Sequence, residues 1–413
     1  MRQCFPGLFQ PSLGWRKKGE TFMDFSFPEP TEAFRTELRQ FLREELPEWW
    51  SGIFGDDERM FPFTREFCKK LAARGWLTMA WPKQYGGADA DLWMQMVVRE
   101  EMWAHGEPRG PQYMNLNYIG PAIMMFGTPE QKDRYLKPMA NGDALWCQGF
   151  SEPGAGSDLA AISTQAQDNG QSFVVRGQKI WTSYATAADH CFLLARTDPE
   201  ALRYKGLSMF LLDMRTPGIT VRPIDSMGGP VEFSEVFFDD VEVPYDCLLG
   251  PRNEGWMVAM SALGYERTGI AWHSSTETVL DRLIEYAKTT KDENGEPLAK
   301  RQPVREALVR MHVRTRAAKM LSYRVISDQA KDVTKDEDPA IAKVFATELG
   351  VYAGEVGMEI LGSKGQLVAS DPMAPLAGQM YGHWVHSIPM VIAAGSNEIQ
   401  RNIIAQRGLA LPR

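Results

Sequence analysis

The hydrophobic residues of this chain repeat with helical spacing at first, then with strand-like spacing, and then with helical spacing again. From Thr31 to about Asn141 they recur every three or four residues, as in Phe34, Leu38 and Leu42, which predicts amphipathic helices. Between about 143 and 250 the apolar runs are short and β-rich, at residues 172–176, 190–195, 207–212, 219–224 and 231–238. Because no ten-residue helical crossover separates these runs, an antiparallel sheet is predicted.

Helical spacing returns at residues 255–287 and continues, after a polar connection at 291–301, near 304–331 and 339–361. The pattern therefore predicts an α+β chain with an all-α domain at 23–142, an antiparallel β-domain at 143–252 and a helical domain at 253–413. Residues 1–22 are interrupted by Pro and Gly, so we expect a disordered extension there. Met23 is then a possible alternative start.

The composition and net charge of the chain exclude several classes of protein. Of 413 residues, 44% are hydrophobic and 24% charged, and no apolar run approaches the ~18 residues of a membrane span, which excludes disordered and membrane-spanning chains. A net charge of −8 disfavours nucleic acid as a partner. Five scattered cysteines without a CxxC are typical of reduced thiols, so a cytoplasmic protein is expected. His383 and His386 have no acidic or Cys neighbours in sequence, so no metal site is expected.

Residues 149–158 (GFSEPGAGSD) form the first candidate for chemistry. Three glycines and two serines with no bulky side chain after Phe150 allow a ligand to approach the backbone closely. A Rossmann loop is excluded, because Leu159 stands where the third glycine belongs and no βαβ unit surrounds it. The alternative is a glycine-rich turn without a ligand.

Residues 177–183 (GQKIWTS) form the second candidate. Two-residue spacing would place Trp181 and Ser183 on one strand face, which suits a flat, hydrogen-bonding heterocycle. Trp181 as ordinary sheet core is the alternative.

Residues 263–270 (LGYERTGI) form the third candidate, within the predicted long helix. Leu263, Glu266 and Ile270 share an apolar stripe at i, i+3 and i+7. A carboxylate there is either paired, for example with Arg267, or held in a dry site with the raised pKa of a general base.

The SEPGAGSD sequence, the GQKIWTS sequence about twenty residues later and residues 394–402 (AGSNEIQRN) together resemble three motifs of the acyl-CoA dehydrogenase family. The match runs in order from about Asp24 to the C-terminus. The resemblance implies an N-terminal helical domain, a central β-domain and a C-terminal four-helix domain, which agrees with the hydrophobic pattern. It also implies FAD as cofactor, an acyl-CoA substrate, a tetramer, and an electron-transferring flavoprotein or similar acceptor.

In the family, a carboxylate removes the α-proton of the thioester while flavin N5 accepts a hydride from the β-carbon. By resemblance, the residues that line the isoalloxazine are Gln148, Phe150, Ser151, Trp181 and Ser183. The remaining implied contacts are those of Ser396 and Glu398 with the FAD pyrophosphate, Ser157 with the CoA side, and Arg267 with the bound substrate.

The expected base departs from the commonest family pattern. Many members carry the catalytic Glu immediately before the Gly of the C-terminal motif, where this chain has Ala394. The isovaleryl and long-chain types place it instead on the long helix in a Glu-Arg dipeptide, and Glu266-Arg267 is similar to that pattern. The resemblance therefore makes Glu266 the expected base.

Two segments that contact the FAD adenosine of a neighbouring subunit in homotetrameric members also differ. Residues 291–295 read KDENG and residues 359–363 read EILGS, so cationic and aromatic contacts are missing. In this the chain resembles bacterial large-subunit dehydrogenases of steroid side-chain or dicarboxylate catabolism, some of which are α2β2 heterotetramers.

Two alternatives remain open from the sequence. An acyl-CoA oxidase on the same scaffold would use the same base and flavin but reduce O₂, and hydrogen peroxide production distinguishes it. A non-catalytic subunit of a heteromeric dehydrogenase is the second alternative, since Ala394 and the altered adenosine segments are compatible with it.

Overall fold

Helices make up the first third of the chain. The computed structural model describes residues 27–54, 57–228, 232–264, 269–331, 333, 335 and 337–412, so the expected extension at 1–22 lies outside the described residues. The N-terminal helices are α1 (Glu29–Glu45), α2 (Met60–Ala73), α3 (Leu92–Ala104), α4 (Gln112–Met114), α5 (Gly120–Phe126) and α6 (Pro129–Ala140). Their apolar stripes face one core, as at Leu38, Phe41 and Leu42 of α1, which are all buried.

A mixed sheet follows. Its strands are β1 (Trp146–Gly149), β2 (Gln165–Asp168), β3 (Phe173–Lys179), β4 (His190–Arg196), β5 (Leu207–Asp213), β6 (Ile219–Pro223), β7 (Ser234–Val243) and β8 (Leu248–Leu249). The order is β6-β7-β3-β2-β4-β5-β8, with β1 also paired to β4. Most pairs are antiparallel, as predicted, but β1 and β2 each run parallel to β4. The parallel β1–β4 pair needs no helical crossover, because the β2–β3 hairpin makes the connection.

The sheet is buried on both faces. Phe192 and Leu194 of β4 pack with the N-terminal helices, whereas Cys191, Leu193 and Ala195 pack on the opposite side. Double-sided burial explains why β4 is a continuous apolar run in the sequence rather than an alternating one. One face of the sheet is thereby held against the helical domain.

The C-terminal part is helical. Its helices are α7 (Gly255–Gly264), α8 (Ile270–Thr289), α9 (Gln302–Ala330), α10 (Glu337–Leu361), α11 (Gln379–Met390) and α12 (Asn397–Ile403). Helix α10 packs against α8, α9, α11 and α12, which gives a bundle around α10. None of the helices described here has the length and apolar character needed to cross a membrane.

The single long helix predicted at 255–287 is wrong. Helix α7 ends at Gly264, and α8 starts only after Gly269, whose φ of 76° is left-handed. An α-helix does not continue through that conformation. A side chain at Gly269 would also meet Ser322, since its Cβ would lie 2.9 Å from Ser322 Oγ. The i, i+3, i+7 stripe proposed for Leu263, Glu266 and Ile270 therefore does not run along one continuous helix.

A buried polar cluster joins the N-terminal and C-terminal helices. Glu100 of α3 accepts hydrogen bonds from Arg35 of α1 at 2.8 Å and from the Tyr323 hydroxyl of α9 at 2.8 Å. Its Oε1 lies 3.3 Å from Nε2 of His273 on α8. Burial alone would raise the pKa of Glu100, but the His273 hydrogen bond and the cations of Lys319 and Arg35 lower it to about 2. The carboxylate is therefore ionised and fixes α8 and α9 against α3.

Replacing Glu100 with Ala should destabilise the fold by about 3 kcal/mol, because it leaves buried partners uncompensated. Since the pKa of Glu100 is lowered, its contribution is present above its ordinary value of 4.5 and is lost as the pH falls toward about 2. The difference from wild type, measured by urea unfolding, should shrink over that range.

The matched control is Glu66→Ala, which removes an exposed pair with Lys69 and should cost less than about 1 kcal/mol. Equal, small effects of the two substitutions at neutral pH would show that the cluster does not hold the helices together.

Candidate active site

The glycine-rich loop after β1 is a tight turn that faces open space. The backbones of Glu152 and Ala155 exchange two hydrogen bonds of 2.9 and 3.0 Å, which closes the turn. A Cβ built on Gly154 or Gly156 would have no neighbour within 4 Å. Neither glycine is required by packing within the chain, so the space beside both backbones is available to a ligand.

A buried ion pair fixes this loop to β3. Lys179 Nζ donates to Glu152 Oε1 at 2.8 Å and to the Phe150 carbonyl at 2.9 Å. The Glu152 carboxylate also accepts from the Ser163 backbone at 2.6 Å, the Ser163 hydroxyl at 2.8 Å and the Thr164 backbone at 2.8 Å. Five hydrogen bonds thus satisfy a pair that has almost no exposed side-chain surface.

The pKa values of the pair follow from burial and mutual attraction. Burial lowers the pKa of Lys179 to about 8, against the opposing effect of the Glu152 carboxylate. Burial would raise the pKa of Glu152, but the Lys179 cation and the hydrogen bonds lower it to about 2. Both groups are therefore charged at neutral pH.

Trp181 lies on a turn and not on a strand, in contrast to the prediction. Strand β3 ends at Lys179, and Trp181 has a left-handed φ of 58°. Its side chain is 56% exposed and meets Phe233 edge-on at 5.8 Å. The alternative that Trp181 is sheet core is excluded, because a core side chain would be buried. Ser183, two residues on, is half-buried.

The first two motifs are adjacent in space. Besides the Lys179 contact, the Ile180 amide donates to the Ser151 carbonyl at 2.9 Å. Phe150 is buried against Phe192, with ring centroids 5.8 Å apart. Gln148, on β1, lies opposite Phe192 in register. The structure therefore bonds the segment that holds Gln148, Phe150 and Ser151 to the one that holds Trp181 and Ser183.

Ser157 is exposed at the far end of the glycine-rich loop. It is followed by Asp158, which pairs with Arg203 at 2.6 Å. Glu266 and Arg267 lie outside the described residues, so their expected roles stay predictions.

The C-terminal motif belongs to the α10 bundle. Ser396 caps α12 by accepting from the Ile399 amide at 3.4 Å, and Glu398 is exposed in the first turn. Backbone and Ser396 hydrogen bonds lower the pKa of Glu398, so its carboxylate is ionised. The fully buried Lys343 of α10 donates to Asn397 at 2.8 Å, which holds the motif against the bundle.

A cavity of about 490 Å³ lies where the three parts of the chain meet. Sequence reasoning missed it, because its walls come from segments far apart in the chain. They are the loop at 46–54, the end of α3 at 103–106, the turn at 226–228, parts of the connection at 368–378, and faces of α8, α10 and α11. Along α8 the cavity extends from Ala271 to Arg282, about 16 Å at the helical rise.

His386 of α11 joins the cavity to the Trp181 turn. Its Nδ1 lies 3.1 Å from Glu232 Oε2, and the Glu232 carbonyl accepts from the Tyr184 amide at 2.7 Å. The imidazole also stacks on Phe54, with centroids 4.3 Å apart. No sequence signal indicated this contact, since residues 54, 232 and 386 are distant in the chain.

Three sequence models of one family match the chain in the order of its parts. They are the N-terminal domain of acyl-CoA dehydrogenase over residues 28–143, its middle domain over 147–241 and its C-terminal domain over 253–409.

Individual relatives match over nearly the whole chain. The acyl-CoA dehydrogenase IpdE1 of Mycobacterium tuberculosis is 33% identical over 389 residues, which cover 92% of this chain and 98% of that protein. The mitochondrial short-chain specific acyl-CoA dehydrogenase of Bos taurus is 32% identical and covers 95% and 93%. A chain of the ChsE4-ChsE5 complex from Mycobacterium tuberculosis superposes with a TM-score of 0.85 at 32% identity, over 95% of this chain and 100% of that one. With three domains matched in order and relatives above 30% identity over almost its full length, the chain belongs to the acyl-CoA dehydrogenase family.

Proposed function

We propose that this acyl-CoA dehydrogenase uses FAD to convert an acyl-CoA thioester into the trans-2-enoyl-CoA. The observation that carries the proposal is the exposed Trp181 beside the open glycine-rich loop. The Trp181 ring offers an exposed flat apolar face on the turn that follows β3, and a planar ligand gains aromatic contact and apolar burial by packing on such a face. The loop adds glycines whose backbone a planar group can approach.

The residues around Trp181 fit the chemistry of an isoalloxazine. The indole offers a flat apolar face, while Ser183, Ser151 and Gln148 of the two bonded segments are half-buried hydrogen-bonding groups. When bound, FAD supplies the two-electron acceptor that protein side chains lack. The chain's own contribution would be to bind and orient the ring, with the Glu152–Lys179 pair fixing the loop that holds it.

The other assigned roles rest on the resemblance. Glu266 takes the α-proton, Arg267 and Ser157 bind the substrate, and Ser396 contacts the FAD pyrophosphate. An ionised Glu398 accepts hydrogen bonds but repels phosphate. We therefore propose that Glu398 binds a hydroxyl of the cofactor, and that Ser396 alone faces the pyrophosphate.

Electrons leave through an electron-transferring flavoprotein or a similar acceptor. The scaffold also serves an acyl-CoA oxidase, and the two activities differ in one product. Stoichiometric hydrogen peroxide in the presence of acyl-CoA and O₂ would identify the oxidase.

Glu266→Gln should abolish reduction of the flavin by acyl-CoA while FAD binding is retained. The amide keeps the size and hydrogen-bonding capacity of the side chain but does not accept a proton, and loss of a general base costs roughly 100- to 10,000-fold in rate. Anaerobic mixing with a panel of acyl-CoAs, followed by flavin absorbance, measures it, with the wild-type protein as reference.

Ala394→Glu in the Glu266→Gln background is the matched test, since it returns a carboxylate to the position that most of the family uses. Partial recovery of flavin bleaching would support the assignment. Near wild-type bleaching by the single variant would show that the base is another group.

We propose further that FAD binding depends on a second, homologous subunit, as in an α2β2 heterotetramer rather than a homotetramer. The altered segments 291–295 and 359–363 support this, since Glu359 adds negative charge where a diphosphate is expected. Expressed alone, the chain should contain less than one FAD per chain by absorbance and mass. Co-expression with a neighbouring homologous subunit should raise the content, and one FAD per chain in a purified homotetramer would contradict the proposal.

A further inference from the structure

The cavity between the three parts of the chain is mostly apolar. Trp50, Phe54, Trp103 and Trp272 contribute aromatic walls, and Val279, Val385 and Met390 are among the aliphatic ones. A volume of about 490 Å³ lies within the range of sites that enclose a whole small molecule. The volume and the aromatic lining fit an apolar ring system.

Several polar groups of the lining are already bonded to backbone. Thr278 donates to the Ala104 carbonyl at 2.9 Å, and Tyr381 donates to that of Met227 at 3.1 Å. His383 Nε2 lies 3.2 Å from the Gly350 carbonyl. These three side chains therefore already hydrogen-bond within the fold. Arg282 lines one end of the cavity with part of its side chain exposed, and partial burial lowers the pKa of its guanidinium.

His386 differs from these groups. It is buried and lines the cavity, and Phe54 and Glu232 fix its ring. Only its Nδ1 has a hydrogen-bond partner among the described residues. Gly228 lies beside the Cε1 corner of the ring, between the two nitrogens, since an added Cβ would lie 2.5 Å from Cε1, 3.1 Å from Nε2 and 3.3 Å from Nδ1. Nε2 is therefore a fixed hydrogen-bonding atom that the protein itself does not use.

The Glu232 contact decides what Nε2 can bind. A carboxylate only accepts, so Nδ1 carries the hydrogen and the neutral ring presents Nε2 as an acceptor. The protonated ring would present Nε2 as a donor instead. A hydroxyl satisfies both forms, because it donates to the first and accepts from the second.

We propose that the cavity holds the end of the acyl group remote from the thioester, and that His386 recognises a hydroxyl on an otherwise apolar ring system there. This inference rests on the proposed function. The cavity begins at Ala271, five residues after Glu266, and it adjoins the Trp181 turn through Glu232. The site thus combines apolar walls with one fixed polar atom, the usual composition of a selective small-molecule site.

The test compares pairs of synthetic thioesters, cyclohexyl- and decalinyl-propanoyl-CoA, each with and without a ring hydroxyl at different positions. Binding is measured by calorimetry on the FAD-loaded protein, and turnover is measured with an artificial electron acceptor. The wild-type protein should bind at least one hydroxylated ester about ten- to a hundredfold more tightly than its parent, since a site left with an unused polar atom rejects the apolar analogue.

His386→Leu should remove this preference and keep binding of the unsubstituted ring. His383→Leu is the matched control, because it makes the same change one turn earlier on the same cavity wall, and it should keep the preference. No preference in the wild-type protein, or a preference that survives in His386→Leu, would overturn the proposal.

Gly228→Ala provides an independent variant if His386→Leu fails to fold, since the new Cβ would displace the imidazole. It too should lose the preference, and its retention would count against the site. A binding preference without any turnover would contradict the proposed function and support this site. Turnover without a preference would contradict this site alone.

Discussion

The candidate flavin site depends on one buried ion pair, Glu152–Lys179. Glu152 lies in the glycine-rich loop and Lys179 ends β3, so their attraction joins two segments that the Ile180–Ser151 backbone hydrogen bond also links. The same lysine also binds the Phe150 carbonyl. The glycines of the loop make no packing contact of their own, so the position of the loop depends on these bonds and on the further hydrogen bonds of Ser151 and Glu152. The buried pair fixes the loop next to β3, while the space beside Gly154 and Gly156 and the Trp181 side chain stay open to a ligand.

Buried charges recur wherever parts of the chain meet. Glu100 holds α1, α8 and α9 around α3, and Glu232 connects the sheet domain to His386 of α11. Such pairs are costly to bury and contribute little net stability compared with apolar packing. Their directional bonds, however, fix relative positions more strictly than apolar contacts do. At domain junctions that surround an apolar cavity, orientation is the property that the site requires.

The sequence predicted those features that depend on local pattern. The order of helical, β and helical parts followed from hydrophobic spacing, and five strands began within three residues of their predicted starts. Strands β1, β2 and β8 were missed because runs of two to four residues carry little periodic signal. The break at Gly269 was missed because the apolar stripe continued through it. The Glu152–Lys179 pair and the cavity were not predictable from spacing, since both depend on contacts between distant segments.

Trp181 shows most clearly that residue spacing does not predict the backbone conformation of a turn. Alternation suggested a strand face for Trp181 and Ser183, yet Trp181 adopts a left-handed conformation after β3 has ended. The residues of the two motifs nevertheless lie in one region. Lys179, two residues before Trp181, bonds to Phe150 and Glu152 of the glycine-rich loop, and these bonds do not depend on the conformation of Trp181. Composition and motif identified the region, and tertiary contacts determined its geometry.

The most direct test of the ion-pair constraint is the FAD dissociation constant of Lys179→Met, measured by fluorescence well below the unfolding temperature. The substitution keeps most of the length of the side chain and removes its charge, so the loop loses the Lys179 hydrogen bonds to Glu152 and to the Phe150 carbonyl, and the Glu152 carboxylate loses its cation. We expect at least a tenfold weaker affinity in a variant that remains folded by circular dichroism. A folded Lys179→Met protein that binds FAD as tightly as the wild type would contradict the account.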